Sequence, residues 1–403
     1  TQNDVYEVDG IIDLRSLSHL SELTNTENLK YSKWKPCIPK EFDENHSIWD
    51  EIKKQDLMLH TPYDSFEPVV KMINEAATDP KVLAIKITLY RTSGNSPIVK
   101  ALELAARNGK QVTVFIELKA RFDEKQNIEW ATRLQNAGVI VIYGIVNLKL
   151  HAKMMMIVRK EEEEVLRYVH LSTGNYNENT AKLYSDISIF TAEPEIANDA
   201  TLFFNMISGY SALQTMQKIK IAPINLKSNL ISLIEREIQN SSPEKPGLII
   251  AKMNSLAHPE VIQALYKASC ANVKIKLNVR GICMLVPGVK NLSENIQVTS
   301  IIDRYLEHSR ICYFQNGGDE EIYLSSADWM PRNLDRRVEI MFPILNKSIF
   351  TRIKSILNTY LEDTENTSIL NSDGSWSKIL NSQTEKAEKK FSAQKHFHEL
   401  AKT

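Results

Sequence analysis

The strongest constraint on this chain is that it aligns to itself. His170-Leu-Ser-Thr-Gly-Asn-Tyr-Asn177 lies against Tyr323-Leu-Ser-Ser-Ala-Asp-Trp-Met330 without a gap. In the same register Asp186-Ile187 falls on Glu339-Ile340, so a strand closes both copies. Upstream, Ala101-Leu102 through Ile116 matches Ala264-Leu265 through Val279. Each copy also carries a histidine with a cation two residues on, before its final hairpin: His151-Ala-Lys153 and His308-Ser-Arg310. A repeat of this length predicts two similar lobes rather than one continuous core. A histidine that merely packs has no reason to recur at the matching place in both halves. The pair points to one site between the lobes, with residues i and i+2 of each motif on one face of an extended segment.

Each copy alternates strands with helices. Residues 82–90, 112–118 and 139–143 read as strands, with helices at 97–108 and 129–137 between them. Met154-Met155-Met156-Ile157-Val158 and Tyr168-Val169-His170-Leu171 read as a buried hairpin whose tip is the four glutamates Glu161 to Glu164. The pattern restarts with a strand at 248–252, a helix at 259–268 and a strand at 274–279, followed by strands at 297–301, 310–314 and 322–325 and a helix at 346–361. This predicts an α/β fold, two lobes related by a pseudo-twofold. Residues 50–60 read as a short helix, Asp64-Ser65-Phe66-Glu67 as a capping box, and 384–400 as an exposed charged helix with His396 and His398 on the surface. The expected division is 1–40 as the tail of an upstream domain, 41–217 as the lobe carrying His151, and 218–403 as the lobe carrying His308.

Composition limits the partners. A chain of 403 residues has room for two or three domains with full cores. The net charge is −1, so the molecule as a whole does not recruit a polyanion, and any anion site must be a local cluster of cations. Cys37, Cys270, Cys283 and Cys312 show neither CxxC pairing nor zinc spacing, which suits a reducing compartment. No apolar run approaches the roughly 20 residues that span a bilayer. Cytoplasmic residence is the expectation, with peripheral membrane association left open.

Paired H-x-K motifs on duplicated α/β lobes resemble the phospholipase D superfamily. That family's aspartate, five residues after the lysine, would fall on Val158, and the second copy has Arg310 in place of lysine. The closer resemblance is to the polyphosphate kinase family, whose catalytic core is phospholipase-D-like. It is carried by Ser65-Phe-Glu-Pro-Val69, Lys86-Ile-Thr-Leu-Tyr-Arg91-Thr92, His151-Ala-Lys-Met154 and Thr173-Gly-Asn-Tyr-Asn177. It continues through Thr180-Ala-Lys-Leu-Tyr184, Val279-Arg-Gly-Ile-Cys283, Tyr305-Leu-Glu-His308 and Ser325-Ser-Ala-Asp-Trp-Met-Pro-Arg-Asn333, and spans residues 45 to 360.

The resemblance implies that His151 takes the γ-phosphate of ATP and that His308 is a second active-site histidine beside the nucleotide phosphates. It implies nucleotide contacts from Tyr184 and Arg280, and a phosphate and Mg²⁺ position at Arg91 and Arg121. Arginine has no lone pair for a metal, so Mg²⁺ would be held through phosphate oxygens and water. The implied partners are ATP or ADP and inorganic polyphosphate, not nucleic acid, with a homo-oligomer in the longer proteins. It also implies that N-terminal and head domains precede this core in the family and that part of the adenine pocket lies in the N-terminal one. Arg91, Arg121, Arg280, Lys153 and Arg310 would form the local cation cluster, since guanidinium forks suit phosphate oxygens. Asn175 and Asp328 occupy matching turn positions, and turn formation competes there with substrate contact. Two other readings share the histidines: a phosphodiesterase or nuclease, which Val158 disfavours, and a non-catalytic polyanion-binding module.

Overall fold

The structure, a computed structural model, describes residues 5–42, 46–90, 96–117, 124–144, 148–209, 214–379 and 390–402. The chain divides into two compact units, Thr1–Lys35 and Pro36–Thr403. The first has two short 3-10 segments, Leu14–Glu22 and Thr24–Leu29, and leaves Val5, Tyr6, Ile11, Leu20 and Leu29 exposed.

The second unit holds both copies of the repeat. The first copy runs α1 (Ile48–Lys54), β1 (Leu57–Thr61), α2 (Glu67–Thr78), β2 (Val82–Leu89), α3 (Pro97–Arg107), β3 (Gln111–Ile116) and α4 (Glu124–Asn136). It continues with β4 (Ile140–Tyr143), β5 (Lys149–Leu150), β6 (Met154–Lys160), β7 (Val165–Ser172), β8 (Tyr184–Thr191) and α5 (Pro194–Ile207). The second runs β9 (Lys220–Ala222), α6 (Leu226–Gln239), β10 (Leu248–Met253), α7 (Pro259–Cys270), β11 (Lys274–Val279), β12 (Ile296–Ile301) and β13 (Leu306–Glu307). There follow β14 (Arg310–Phe314), β15 (Glu321–Ser325), α8 (Pro331–Arg336), β16 (Arg337–Pro343) and α9 (Lys347–Leu361). The described elements close with β17 (Thr367–Leu370), β18 (Trp376–Lys378) and α10 (Ala393–Leu400).

The pairing of β1–β8 recurs in β9–β16. One sheet has the order β1-β8-β7-β6-β2-β3-β4 and the other β18-β17-β12-β11-β10-β14-β15-β16-β5, with β9 beside β16. In both, three strands run parallel (β2, β3, β4 and β10, β11, β12) and the following hairpin is antiparallel. Parallel strands need covered faces, and the burial pattern supplies them: Ile85, Ile87, Val114 and Ile157 in one core, Ile249, Ala251, Leu277 and Val298 in the other, all at most 1 % exposed. Burying each such branched side chain contributes roughly 1.5–3 kcal/mol against leaving it in water.

What joins the copies is a crossing. β5 leaves its own sheet and pairs in parallel with β16, at Lys149↔Arg337 and Leu150↔Val338. β13 does the same to β8, at Leu306↔Tyr184 and Glu307↔Ser185. The next two residues follow suit: His151 N and Ala152 N both donate to the Val338 carbonyl, and His308 N and Ser309 N both donate to that of Ser185. Each histidine is thus delivered onto the closing strand of the opposite sheet.

Three expectations need correction. The helix at 50–60 stops at Lys54, and Leu57–Thr61 is an edge strand buried along its whole length against β8. A short apolar run has no period of its own, and pairing decided it. Asp64 does not cap α2; its carboxylate accepts from His60 N at 2.7 Å and from Arg352 Nη2 at 2.8 Å. The C-terminal helix is not wholly exposed: α10 buries Gln394, Phe397 and His398, while His396 is exposed, and residues 384–389 of the expected helix lie outside the described residues. Phe397 stacks at 5.0 Å on Tyr360 and 5.2 Å on Tyr63.

Burial also fixes two histidines as neutral. His170, in β7, is 1 % exposed with Nδ1 2.9 Å from the Tyr176 hydroxyl, and burial pushes its pKa down to about 3. His60 is lowered too, by burial and then by Arg352. The unfolded chain takes up these protons below its ordinary histidine value, which the folded protein refuses, so stability present above about pH 6.5 is lost as pH falls toward 3. For His170 this lowers stability by about 2 kcal/mol between pH 7 and pH 5. Urea unfolding at the two pH values should show the drop reduced by about that amount in His170→Gln, and an unchanged drop would contradict it.

Candidate active site

The two histidines are each held by a carboxylate of the other copy. His151 Nδ1 lies 2.8 Å from Glu339 Oε2, on β16. His308 Nδ1 lies 2.8 Å from Asp186 Oδ2, on β8. Each carboxylate is steadied in turn by a hydroxyl of its own copy: Thr173 Oγ1 donates to Asp186 at 2.6 Å, and Ser326 Oγ donates to Glu339 at 2.6 Å. Both hydroxyls also accept from the backbone of the strand they face, from Ile187 N at 3.1 Å and Ile340 N at 3.0 Å. Asn333 Nδ2 adds a bond of 2.6 Å to Glu339 Oε1.

Asp186 and Glu339 were absent from the residues singled out in the sequence. The signal was present: the ungapped repeat superposes Asp186 on Glu339 and Thr173 on Ser326. What the alignment lacked was the crossing, which turns two matching carboxylates into partners for the opposite histidines. Gly174 belongs to the same device. A β-carbon there would stand 2.3 Å from Asp186 Oδ2, so only glycine lets that carboxylate reach His308. The second copy has Ala327 at this place.

Charge follows from burial. His151 is pushed down to about 3, chiefly by burial, with Glu339 opposing and Lys153 adding to it. His308 is lowered by burial and then by Arg310. Both imidazoles are neutral at pH 7. Asp186 stays below its ordinary value although burial works the other way, because His308, Arg310 and the Thr173 hydroxyl favour the anion. Glu339 is likewise lowered against burial, with His151, then Lys153 and Ser326, on its side. A neutral ring beside an anion donates from Nδ1 and leaves its lone pair on Nε2.

The two Nε2 atoms differ. Arg310 Nη1 lies over the His308 ring, 3.2 Å from Nε2 and 3.3 Å from Nδ1, whereas His151 Nε2 has no hydrogen-bond partner among the described residues. Some 11 % of the His151 side chain stays exposed. Arg310 is itself held by Asp328 at 3.2 Å and donates to the Thr173 carbonyl at 3.3 Å, so Asp328 serves an ion pair rather than only a turn. Lys153 does not line up beside its imidazole. Its ammonium is buried and donates to the His151 carbonyl, and burial pulls it down to about 7. Arg280 donates to the Glu307 carbonyl at 2.8 Å and to Asn254 Oδ1 at 2.9 Å. The Tyr184 ring lies 5.2 Å from that of His308 and the Tyr90 ring 5.0 Å from that of His151. Arg91 and Arg121 lie outside the described residues.

These donors do not suit a resident metal. Among the described residues no three histidine, cysteine or acidic side chains could hold a metal ion. Asp186 and Glu339 are both spent on imidazoles, and the remaining groups are cations. Such a set suits the oxygens of a phosphate chain.

The family model for polyphosphate kinase C-terminal domain 1 matches residues 47–213, and that for C-terminal domain 2 matches residues 219–394. This chain belongs to the polyphosphate kinase family. The polyphosphate kinase of Rhodopirellula baltica is 50% identical over 375 residues, 93% of this chain and 44% of that protein. That of Pseudomonas aeruginosa is 48% identical over 379 residues, 94% of this chain and 55% of that protein. The chain therefore spans about half the length of the curated polyphosphate kinases it matches. The crystal structure of polyphosphate kinase from Porphyromonas gingivalis superposes with a TM-score of 0.88 at 38% identity, covering 96% of this chain and 59% of that one. Phosphatidylserine synthase of Haemophilus influenzae shares the fold alone, with a TM-score of 0.53 at 12% identity over 83% of this chain and 89% of that one. The two-lobed phospholipase-D-like architecture expected for a polyphosphate kinase core is the one found.

Gly174→Ala should displace the Asp186 carboxylate and cost about 1–3 kcal/mol as overpacking. Ala327→Gly, at the matching place in the other copy, should cost about 1 kcal/mol or less. Urea unfolding of both variants checks this, and equal losses would contradict the close contact.

Proposed function

We propose that this chain carries the phosphotransfer centre of a polyphosphate kinase: reversible transfer of the ATP γ-phosphate to the end of a polyphosphate chain through a phosphohistidine on His151. The observation that carries the reading is the asymmetry of the two rings. His151 has Nδ1–H on Glu339 and an Nε2 with no hydrogen-bond partner among the described residues, while Arg310 Nη1 lies against the His308 ring, 3.2 Å from Nε2 and 3.3 Å from Nδ1. His151 Nε2 attacks the γ-phosphorus, the N–P bond forms, and the P–O bond to ADP breaks in line. The ring becomes a phosphoimidazolium whose Nδ1 proton faces Glu339, so the carboxylate stabilises the charge as it appears. A terminal oxygen of polyphosphate then attacks the same phosphorus and the imidazole leaves with its electron pair.

Diphosphate is a good leaving group and the transition state is loose, so positioning and charge matter more than proton donation. We therefore assign His308, held by Asp186, to the transferring group rather than to general acid work. Arg310, Lys153 and Arg280 neutralise phosphate oxygens, Tyr184 contacts the nucleotide, and Arg91 and Arg121 extend the cluster. ATP enters as its magnesium complex, the ion belonging to the substrate. The two lobes, 41–217 and 218–403, act as one catalytic unit. Cytoplasmic residence, peripheral association with a membrane surface and assembly of the longer proteins into homo-oligomers belong to the same reading; no described helix is long and apolar enough to cross a membrane.

Incubation with γ-³²P-ATP or ³²P-polyphosphate should leave acid-labile, base-stable label on the protein. Label should be absent from His151→Ala, and Glu339→Gln should form it on the order of 10²- to 10⁴-fold more slowly. Label from neither donor, or release of free phosphate in place of ADP, would contradict the reading.

Lys153 gives a pH test. Its folded value of about 7 lies far below the ordinary lysine value, so the ammonium is present below that pH and lost above it. A bound phosphate restores the charge and takes up a proton, so polyphosphate affinity should weaken as pH rises from 6 to 9. Lys153→Met should lose most of that slope in a filter-binding titration, and a slope equal to the parent's would contradict it.

A further inference from the structure

The second histidine has a fastening with no counterpart at the first among the described residues. β13 is two residues long, and a strand so short cannot hold its own position. Its counterpart β5 is steadied by Glu117, which accepts from Leu150 N at 3.0 Å. The repeat puts Arg280 in the place of Glu117, and Arg280 Nε grips the Glu307 carbonyl at 2.8 Å. So far the copies correspond.

Gln394 breaks the correspondence. It lies on α10, outside the duplicated strands, and is fully buried. Its amide oxygen accepts from Tyr305 N at 2.9 Å, and its Nε2 donates to the Tyr305 carbonyl at 3.0 Å and to Glu307 Oε1 at 2.7 Å. A side-chain amide has the same donor and acceptor as a peptide, so Gln394 stands in for a missing neighbouring strand. The other oxygen of Glu307 meets Lys252 Nζ at 3.0 Å, and that ammonium also donates to Ser309 Oγ at 2.9 Å. The residues on both sides of His308 are therefore tied to one buried ammonium, whose counter-ion is tied to Gln394. Packing alone does not require this. Phe397 already docks α10 on Tyr360 and Tyr63.

We propose that Gln394 is a positioning residue for His308: through Tyr305 and Glu307, α10 sets the orientation in which His308 meets Asp186 and Arg310. The inference rests on the assignment of His308 to the phosphotransfer site. Gln394 touches no reacting atom and acts only through the segment that carries the histidine.

The test is ¹⁵N NMR of histidine-labelled protein without substrate, with the ring signals of His308 and His151 assigned by their loss in His308→Ala and His151→Ala. Gln394→Leu should shift or abolish the His308 Nδ1–H signal and leave that of His151 in place. Phe397→Leu, on the same helix, should lower the melting temperature and move neither. In phosphotransfer assays Gln394→Leu should lower kcat on the order of 10- to 100-fold with KM held within about twofold. An unmoved His308 signal in Gln394→Leu, or His308 and His151 signals shifting together, would overturn the proposal. Should that variant not fold, Gln394→Glu keeps the volume but sets a second carboxyl beside that of Glu307, which disfavours the charged form of the introduced group. Its His308 signal should return to the parent position as pH falls, and a pH profile identical to the parent's would overturn the proposal. The signals are read without turnover, so a parent protein lacking phosphotransfer would count against the kinase reading alone.

Discussion

Each histidine is held by the half of the molecule to which it does not belong. The Nδ1–carboxylate bonds, His151 to Glu339 and His308 to Asp186, both cross between the sheets, and the strands β5 and β13 cross with them. Everything else at the site depends on this exchange. It fixes which ring nitrogen carries the proton, brings the cations of both copies to one place, and makes neither lobe sufficient alone. A histidine taken from its opposite carboxylate would be a buried base in an undefined tautomer. A carboxylate taken from its histidine would be a buried charge short of a donor, and leaving a buried acceptor unsatisfied costs roughly 1–3 kcal/mol, more when it is charged.

The duplication holds in the backbone of the crossing and departs in the side chains. The backbone pattern is the same twice, down to one carbonyl receiving two successive N–H groups and one hydroxyl serving each carboxylate. The side chains then differ. Lys153 turns back to the His151 carbonyl and no described residue bonds the Nε2 edge of that imidazole, whereas Arg310 reaches across His308. A symmetric scaffold in which a guanidinium lies over one ring, and no described residue bonds Nε2 of the other, is suited to a reaction with one nucleophile. The second ring, held between an anion and a guanidinium, is suited to holding charge.

Much of this was legible in the sequence. The repeat, the alternation of strands and helices, the histidine pair and the family motifs all follow from order and spacing, and Val82–Leu89, Lys274–Val279 and Arg310–Phe314 were expected where they lie. Two kinds of fact were not legible. One is pairing between distant strands. Leu57–Thr61 becomes a strand because β8 offers an edge, and α10 is buried because Tyr63 and Tyr360 offer it a surface. The other is exchange between lobes. Val158 stands where a phospholipase D would carry its acid, and read along one copy the site looks incomplete. The acids that serve the histidines sit 188 residues beyond His151 and 122 residues before His308. No local motif could show that.

The atom that receives the phosphate tests the account most directly. ³¹P and ¹⁵N NMR of the isolated phosphoprotein distinguishes phosphate on Nε2 from phosphate on Nδ1 of a histidine. With Nδ1–H committed to Glu339, the phosphorus must be found on Nε2 of His151. Phosphate on Nδ1, or on His308, would mean that the crossed carboxylates do not orient the rings as described.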